Sequence, residues 1–255
     1  MSETKPLKGI NLPSITSYTA EDLFSFLSIK EDMLVLDVRN EEDFSQFNVE
    51  GPFPFQMKNV PYINFMEEED ESVAKISNEK PVKIVCAKEG SAQYVGEILM
   101  RHGFEDVSYL INGIKSWGNL LLPKRINNES DDYALYQFIR PGKASCNYGL
   151  LYKREMVIFD PSRNIEFYQS FANENDAKIV RIFETHLQAD YISGSKQISN
   201  ITGAEILAHA GDFSEASFRF NQVNEGDTYT IGSNGPEIRV IHTPGHTPGS
   251  TSYII

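Results

Sequence analysis

Val82-Lys83-Ile84-Val85-Cys86-Ala87-Lys88-Glu89-Gly90-Ser91 is a short β-branched run that stops at a cysteine and passes through a small polar segment into a helical stretch over about residues 92–101. The run reads as a buried strand, and the residues after the cysteine as a loop and then a helix. Upstream, Met33-Leu34-Val35-Leu36-Asp37-Val38-Arg39 is a second such run, closed by Asn40-Glu41-Glu42-Asp43. Its apolar residues are continuous rather than alternating, which suits a strand covered on both faces and therefore a parallel sheet. Before it, Thr19 caps a helix over residues 20–27, with Glu21 and Asp22 in its first turn and apolar residues at helical spacing. The polar start of the chain, with Pro6 and Pro13, is expected to fray or lie on the surface.

Leu36-Asp37-Val38-Arg39 before this unit, the cysteine closing its strand, and Gly113-Ile114-Lys115-Ser116-Trp117 after it together resemble a rhodanese domain, over roughly residues 15–122. The resemblance implies an α/β fold, a parallel sheet with flanking helices, and sulfur transfer through Cys86. Ala87, Lys88, Glu89, Gly90 and Ser91 then form the loop around the sulfur. Amides aimed at a thiolate and backed by a helix N-terminus would lower its pKa from about 8.5. Lys88 would add positive charge, Gly90 a tight backbone path, and Glu89 an opposing negative charge. Asp37 and Arg39 are expected to brace the loop, with an ordinary surface ion pair as the alternative. Without the resemblance, Cys86 would read as a buried strand-end cysteine.

Residues 123–135, with Pro123, Asn127-Asn128 and Glu129-Ser130-Asp131-Asp132, have the composition of a linker. From residue 136 to 255 the pattern changes to short strands and turns. Phe138-Ile139-Arg140, Asn147-Tyr148-Gly149-Leu150-Leu151-Tyr152 and Met156-Val157-Ile158-Phe159 suit an antiparallel meander, followed by a helix over residues 168–174 and a buried strand, Ile179-Val180-Arg181-Ile182-Phe183. Cys146 reads as a small buried hydrophobe and His102 as a helix C-terminal residue.

That last strand leads into Glu184-Thr185-His186-Leu187-Gln188-Ala189-Asp190-Tyr191-Ile192-Ser193-Gly194-Ser195. With the Asp160-Pro161-Ser162 turn and His242-Thr243-Pro244-Gly245-His246-Thr247-Pro248-Gly249, it resembles the metallo-β-lactamase superfamily, in the branch of glyoxalase II and persulfide dioxygenases. The resemblance implies the first half of an αββα sandwich and metal ligands at His186, His246 and Asp190. It also implies that His209 and His242 are structural or support a ligand rather than being principal ligands. Gln188 and Tyr191 stand where that motif has histidines, and neither is a usual ligand for a transition metal. The family's further acidic ligand and last histidine have no counterpart before Ile255. No cofactor is therefore implied beyond weakly held iron or zinc. A half-sandwich is expected, sticky at an open edge near Tyr253-Ile254-Ile255 and completed by a partner such as a second copy of the chain.

A formal net charge of −13 over 255 residues works against nucleic acid and anionic membrane surfaces as partners. Two cysteines make no disulfide framework, and with no signal-like start or long apolar run the expected address is the cytoplasm. The partners that remain are small-molecule sulfur donors and acceptors: thiosulfate, a low-molecular-weight persulfide or a thiol. Three functions compete: a sulfurtransferase working through Cys86, with a metallo-β-lactamase-like half that is inactive; a metal-dependent persulfide dioxygenase or glyoxalase II-like hydrolase; and a non-catalytic sulfur carrier.

Overall fold

The computed structural model describes residues 15–143, 145–187 and 192–255. They form two compact units, one reaching Leu120 and including Pro141–Lys143, the other comprising Leu121–Arg140 and the residues after Lys143. None of the described helices is long and apolar enough to cross a membrane.

The first unit runs β1 (Thr16–Tyr18), α1 (Ala20–Ser28), β2 (Leu34–Asp37), α2 (Glu41–Gln46), β3 (Gln56–Asn59), α3 (Tyr62–Glu67), α4 (Glu69–Ala74), β4 (Val82–Val85), α5 (Glu89–Arg101), β5 (Val107–Leu110) and α6 (Gly113–Asn119). Its five strands are all parallel, in the order β1-β5-β4-β2-β3. Every residue of β2 and β4 is buried, Asp37 and Lys83 included, as central strands covered on both faces require. Leu36, Ile84, Val95, Ile98 and Leu99 form one core with Phe65. Each such side chain contributes about 1.5–3 kcal/mol by leaving water. Thr19 and Asp22 close α1 with a reciprocal capping box.

Because β2, β4 and β5 are parallel, their carboxyl ends open on one side, and Cys86 comes directly after β4 there. Asp37 ends β2 on the same side. It is wholly buried and holds Arg39, itself 6% exposed, through Nη2 at 2.6 Å and Nε at 3.0 and 3.1 Å. The remaining guanidinium bonds go to the carbonyls of Asp43 (3.2 Å) and Phe47 (2.6 Å) around the end of α2. The pair is thus no surface ion pair, and its direct hydrogen bonds brace α2 rather than the Cys86 loop. A fork-shaped cation between a carboxylate and two carbonyls ties a short helix to a strand end.

The second unit runs β6 (Leu122–Arg125), β7 (Ala134–Arg140), β8 (Ser145–Tyr152), β9 (Glu155–Phe159), α7 (Ile165–Glu174), β10 (Lys178–Phe183), α8 (Ser195–Thr202), β11 (Glu205–Ala208), α9 (Ala210–Phe213), β12 (Asn221–Gln222), β13 (Thr228–Thr230), β14 (Glu237–His242) and β15 (Thr251–Ile254). Strands β6 to β9 form an antiparallel meander, and β9 to β12 continue the same sheet in parallel. Helices α7 and α8 pack on one face, where Phe138 meets Phe167, Tyr168 and Phe171 edge-on. The antiparallel sheet β13-β14-β15 covers the other face, burying Leu150, Val157 and Phe183 with Ile231, Ile238 and Val240. A second sheet therefore covers this face of a unit that was expected to be a half-sandwich. Ile254 and Ile255 remain exposed beside it.

Two sequence expectations differ here. Within residues 123–135, whose composition suggests a linker, β6 pairs with β7, and the polar run is a hydrogen-bonded loop. Asn127 Oδ1 accepts from the Leu135 amide, and Asp131 Oδ2 from the Asn128 amide. Asn and Asp close turns as readily as they fill linkers. Cys146 is exposed rather than buried: β8 points Asn147 inward, so its neighbour faces out.

Arg39→Ala leaves the Asp37 carboxylate buried and unpaired. It is expected to cost about 3–5 kcal/mol of unfolding free energy, read by urea denaturation monitored through Trp117, the single tryptophan, which is buried in this unit.

Candidate active site

Cys86 is 5% exposed. The strand passes it into only two residues, Ala87 and Lys88, before α5 begins at Glu89. Glu89, Gly90 and Ser91 are therefore the first turn of the helix, where the sequence suggests a longer loop. A carboxylate in a helix's first turn favours the earlier start. Burial pushes the Cys86 thiol up. The Lys88 and Ala87 amides pull it down, the Asp37 charge raises it, and the Ser91 hydroxyl lowers it. The net shift is upward, so the expectation of a depressed thiol fails: the aimed amides exist, but desolvation outweighs them.

Glu89 has a different place from the one expected. Its Oε1 accepts the Asn112 amide at 2.7 Å. Asn112 and Gly113 both sit at left-handed backbone angles, φ 57° and 58°, in the turn between β5 and α6. Beyond that turn the Ile114 amide donates to the Cys86 carbonyl at 2.8 Å. A Cβ on Gly113 would lie 2.2 Å from that carbonyl oxygen, so glycine is required there by both conformation and contact. Glu89 thus ties the first turn of α5 to the turn that holds the cysteine backbone. Gly90 is different: a Cβ there would meet nothing within 4 Å and its φ is not positive, so the backbone path does not require glycine.

In the second unit, the carboxyl ends of β9, β10 and β11 bring together Asp160, Glu184 to His186, and His209. Asp160 accepts the Thr185 amide (2.7 Å) and hydroxyl (2.8 Å), and that hydroxyl lies 2.8 Å from His186 Nδ1. His186 and His246 stand with ring centroids 5.0 Å apart and planes at 84°. The sequence reading missed Asp212. It accepts the Leu187 amide (3.0 Å), the Thr247 hydroxyl (2.5 Å) and the Gly249 amide (2.7 Å), fastening the segment after His186 to the segment after His246. Burial raises its carboxyl, but Thr247, these amides and His186 together bring it below the usual range. Only its position after Gly211, one turn past a strand end, marked it in the sequence.

Glu184 is buried with the Ser193 and Ser195 hydroxyls on Oε1; burial, then the Asp160 charge, push it up to about 8. His209 and His242 stack at 4.2 Å; the first accepts the Gly211 amide and the second lies 2.9 Å from the Pro248 carbonyl, so both hold loops. His102 ends α5 beside Glu69. Asp190, Gln188 and Tyr191 lie outside the described residues. Among the described residues no group of three His, Cys, Asp or Glu side chains is arranged to hold a metal ion. His186 and His246 alone do not meet the three or four ligands iron or zinc needs.

Residues 20–120 match the family described as the rhodanese-like domain. The hydroxyacylglutathione hydrolase of Rhodospirillum rubrum is 41% identical over 75 residues, covering 29% of this chain and 28% of that protein. The chain spans about a third of the length of the curated relatives it matches. Among solved structures, a metallo-beta-lactamase from Staphylococcus aureus aligns with a TM-score of 0.45 and 26% identity, covering 48% of this chain and 37% of that one. ETHE1 from Myxococcus xanthus aligns at 0.38 and 24%, covering 52% and 53%.

The surroundings of Cys86 set two expected outcomes. Glu89→Ala should slow reaction at Cys86 and lower stability by about 1–2 kcal/mol, whereas Glu89→Gln, which keeps an acceptor for Asn112, should retain most of both; removing the negative charge is not expected to help. Alkylation by iodoacetamide at pH 7.5 should label exposed Cys146 well before Cys86. Because the Cys86 thiol is shifted upward, its rate should keep climbing as pH passes the ordinary thiol range. Peptide mass spectrometry across pH checks this.

Proposed function

We propose that this chain, which carries a rhodanese-like domain over residues 20–120, transfers sulfane sulfur through Cys86. The observation that carries the reading is the place of Cys86 at the carboxyl end of a central parallel strand, two residues before α5 begins, where the Ala87 and Lys88 amides and the Ser91 hydroxyl favour its charged form. The Cys86 thiolate attacks the outer sulfur of a persulfide donor. An S–S bond forms to Cys86, the donor's S–S bond breaks, and the donor leaves as a thiolate. An acceptor thiolate then takes the outer sulfur, and Cys86 leaves as a thiolate in turn, with no net redox change. Burial keeps free Cys86 largely protonated, which guards it between turnovers. Once loaded, the negative charge sits on the outer sulfur, a stronger acid than the thiol, and the amides suit that anion.

The second unit supports a further reading, a metal-dependent hydrolase or dioxygenase. It rests on the perpendicular His186–His246 pair and the 75-residue likeness to a hydroxyacylglutathione hydrolase. The described residues supply no complete ligand set, so no step is derived through a metal. Elemental analysis of the purified chain should give much less than one equivalent of iron or zinc; one tight equivalent would favour this reading.

Mass spectrometry after exposure to a low-molecular-weight persulfide should show one added sulfur that Cys86→Ser abolishes and Cys146→Ser does not. Turnover with an acceptor thiol separates an enzyme from a carrier. A persulfide on Cys146 alone would refute the assignment.

A further inference from the structure

The carboxyl end of the first unit's sheet carries a feature that sulfur chemistry does not need. Val38 donates its amide to the Val85 carbonyl, and Tyr62 donates to the Val38 carbonyl, both at 2.8 Å. These two bonds set the start of α3 two strand spacings, about 10 Å, from the strand end that carries Cys86. From there α3 buries only Phe65, against the core it shares with α5. Tyr62, Ile63 and Met66, at positions i, i+1 and i+4, form one outward face and are 39%, 41% and 58% exposed. Three large apolar side chains on a six-residue helix are more than a solvated surface needs. On α5, Tyr94 is also 39% exposed, one turn beyond Gly90, where the surface beside the Cys86 turn is open.

Acidic residues follow in sequence. Glu67 and Glu68 come immediately after Met66, and Glu97 lies one turn beyond Tyr94; all three are exposed and make no ion pair among the described residues, while Arg101 and His102 at the end of α5 are paired with Glu69. A second copy of this chain, itself at −13, would be repelled. A segment that offers apolar side chains to α3 and cations to the acids satisfies both parts of the surface.

We propose that the face of α3 docks a basic polypeptide segment bearing a cysteine, and that this cysteine is the sulfur acceptor of Cys86. The proposal rests on the sulfur-transfer reading. It adds the acceptor: a cationic protein thiol rather than a small anionic one. In the step, the acceptor thiolate attacks the outer sulfur of the Cys86 persulfide, the new S–S bond forms on the acceptor, and Cys86 leaves as its thiolate.

The test uses the full chain and two fluorescein-labelled cysteine peptides of equal length, one rich in Lys and Leu and one in Glu and Leu, with 2-mercaptoethanol as the small neutral thiol. At low ionic strength, anisotropy should show the basic peptide binding at least about tenfold more tightly than the acidic one, a gap that closes as salt is raised. Single-turnover transfer from persulfide-loaded protein should show the same preference. Ile63→Ser/Met66→Ser and, separately, Glu67→Lys/Glu68→Lys should each remove most of the basic peptide's advantage. All four positions are exposed, so the variants should keep the parent circular dichroism spectrum and its transfer rate to 2-mercaptoethanol. Equal binding of the two peptides, or a preference the α3 variants leave intact, would overturn the docking surface. Binding without faster transfer would overturn the acceptor role. If Cys86 takes up no sulfur at all, the sulfur-transfer reading and the acceptor role fall together. The binding arm, which needs no sulfur, still judges the surface by itself.

Discussion

The hydrogen bond from the Ile114 amide to the Cys86 carbonyl fixes the first unit's reactive end. A strand that ends at a reactive residue has a carbonyl left over, and burial makes an unpaired carbonyl costly. Here the partner comes from the next strand's exit turn. That turn must run through two left-handed residues, the second of them so close to the carbonyl oxygen that no Cβ fits. Glu89 reaches across to the same turn, so the helix behind the cysteine and the turn in front of it are held by one another. The sulfur is then set in place by backbone, which has few soft degrees of freedom, rather than by long side chains.

Such rigidity accompanies a thiol that is protected rather than activated. Desolvation and Asp37 outweigh the two amides and the Ser91 hydroxyl, so the balance at Cys86 pushes its thiol up. Arg39 pairs with Asp37. It neutralises that buried carboxylate while spending its other donors on the carbonyls around α2. The same pair therefore ties α2 to the end of β2.

The second unit uses carboxylates in a similar way, to hold loops. Asp160 orients Thr185, whose hydroxyl meets His186. Asp212 clasps the stretches after His186 and after His246. Four of the chain's five histidines lie in this unit, two in perpendicular contact and two stacked. The stacked pair is occupied with a backbone amide and a carbonyl, and in the perpendicular pair His186 lies beside the Thr185 hydroxyl.

Much of this was legible in the chain itself. Consecutive apolar residues such as Met33 to Leu36, which put side chains on both faces of a strand, need both faces covered and so announce a parallel sheet. The Asp-Val-Arg stretch, the strand-end cysteine and the Gly113 to Trp117 segment gave the first unit's order, and the alternation after residue 136 gave the meander. What local pattern could not carry were quantities set by distant neighbours. Whether Cys86 is raised or lowered depends on the balance of burial against amides. Whether Glu89 repels or clamps depends on Asn112, 23 residues away. Whether Cys146 faces in or out depends on a one-residue register that Asn147 decides by bonding Asp160 and Tyr168. Asp212 stood out little because its partners, Leu187 on one side and Thr247 and Gly249 on the other, come from two segments distant in sequence. Sequence determined which elements form and in what order, since those depend on periodicity and caps. Only the tertiary structure decided the charge state and contacts of the reactive groups, because electrostatic and desolvation energies depend on what folding brings within a few ångströms.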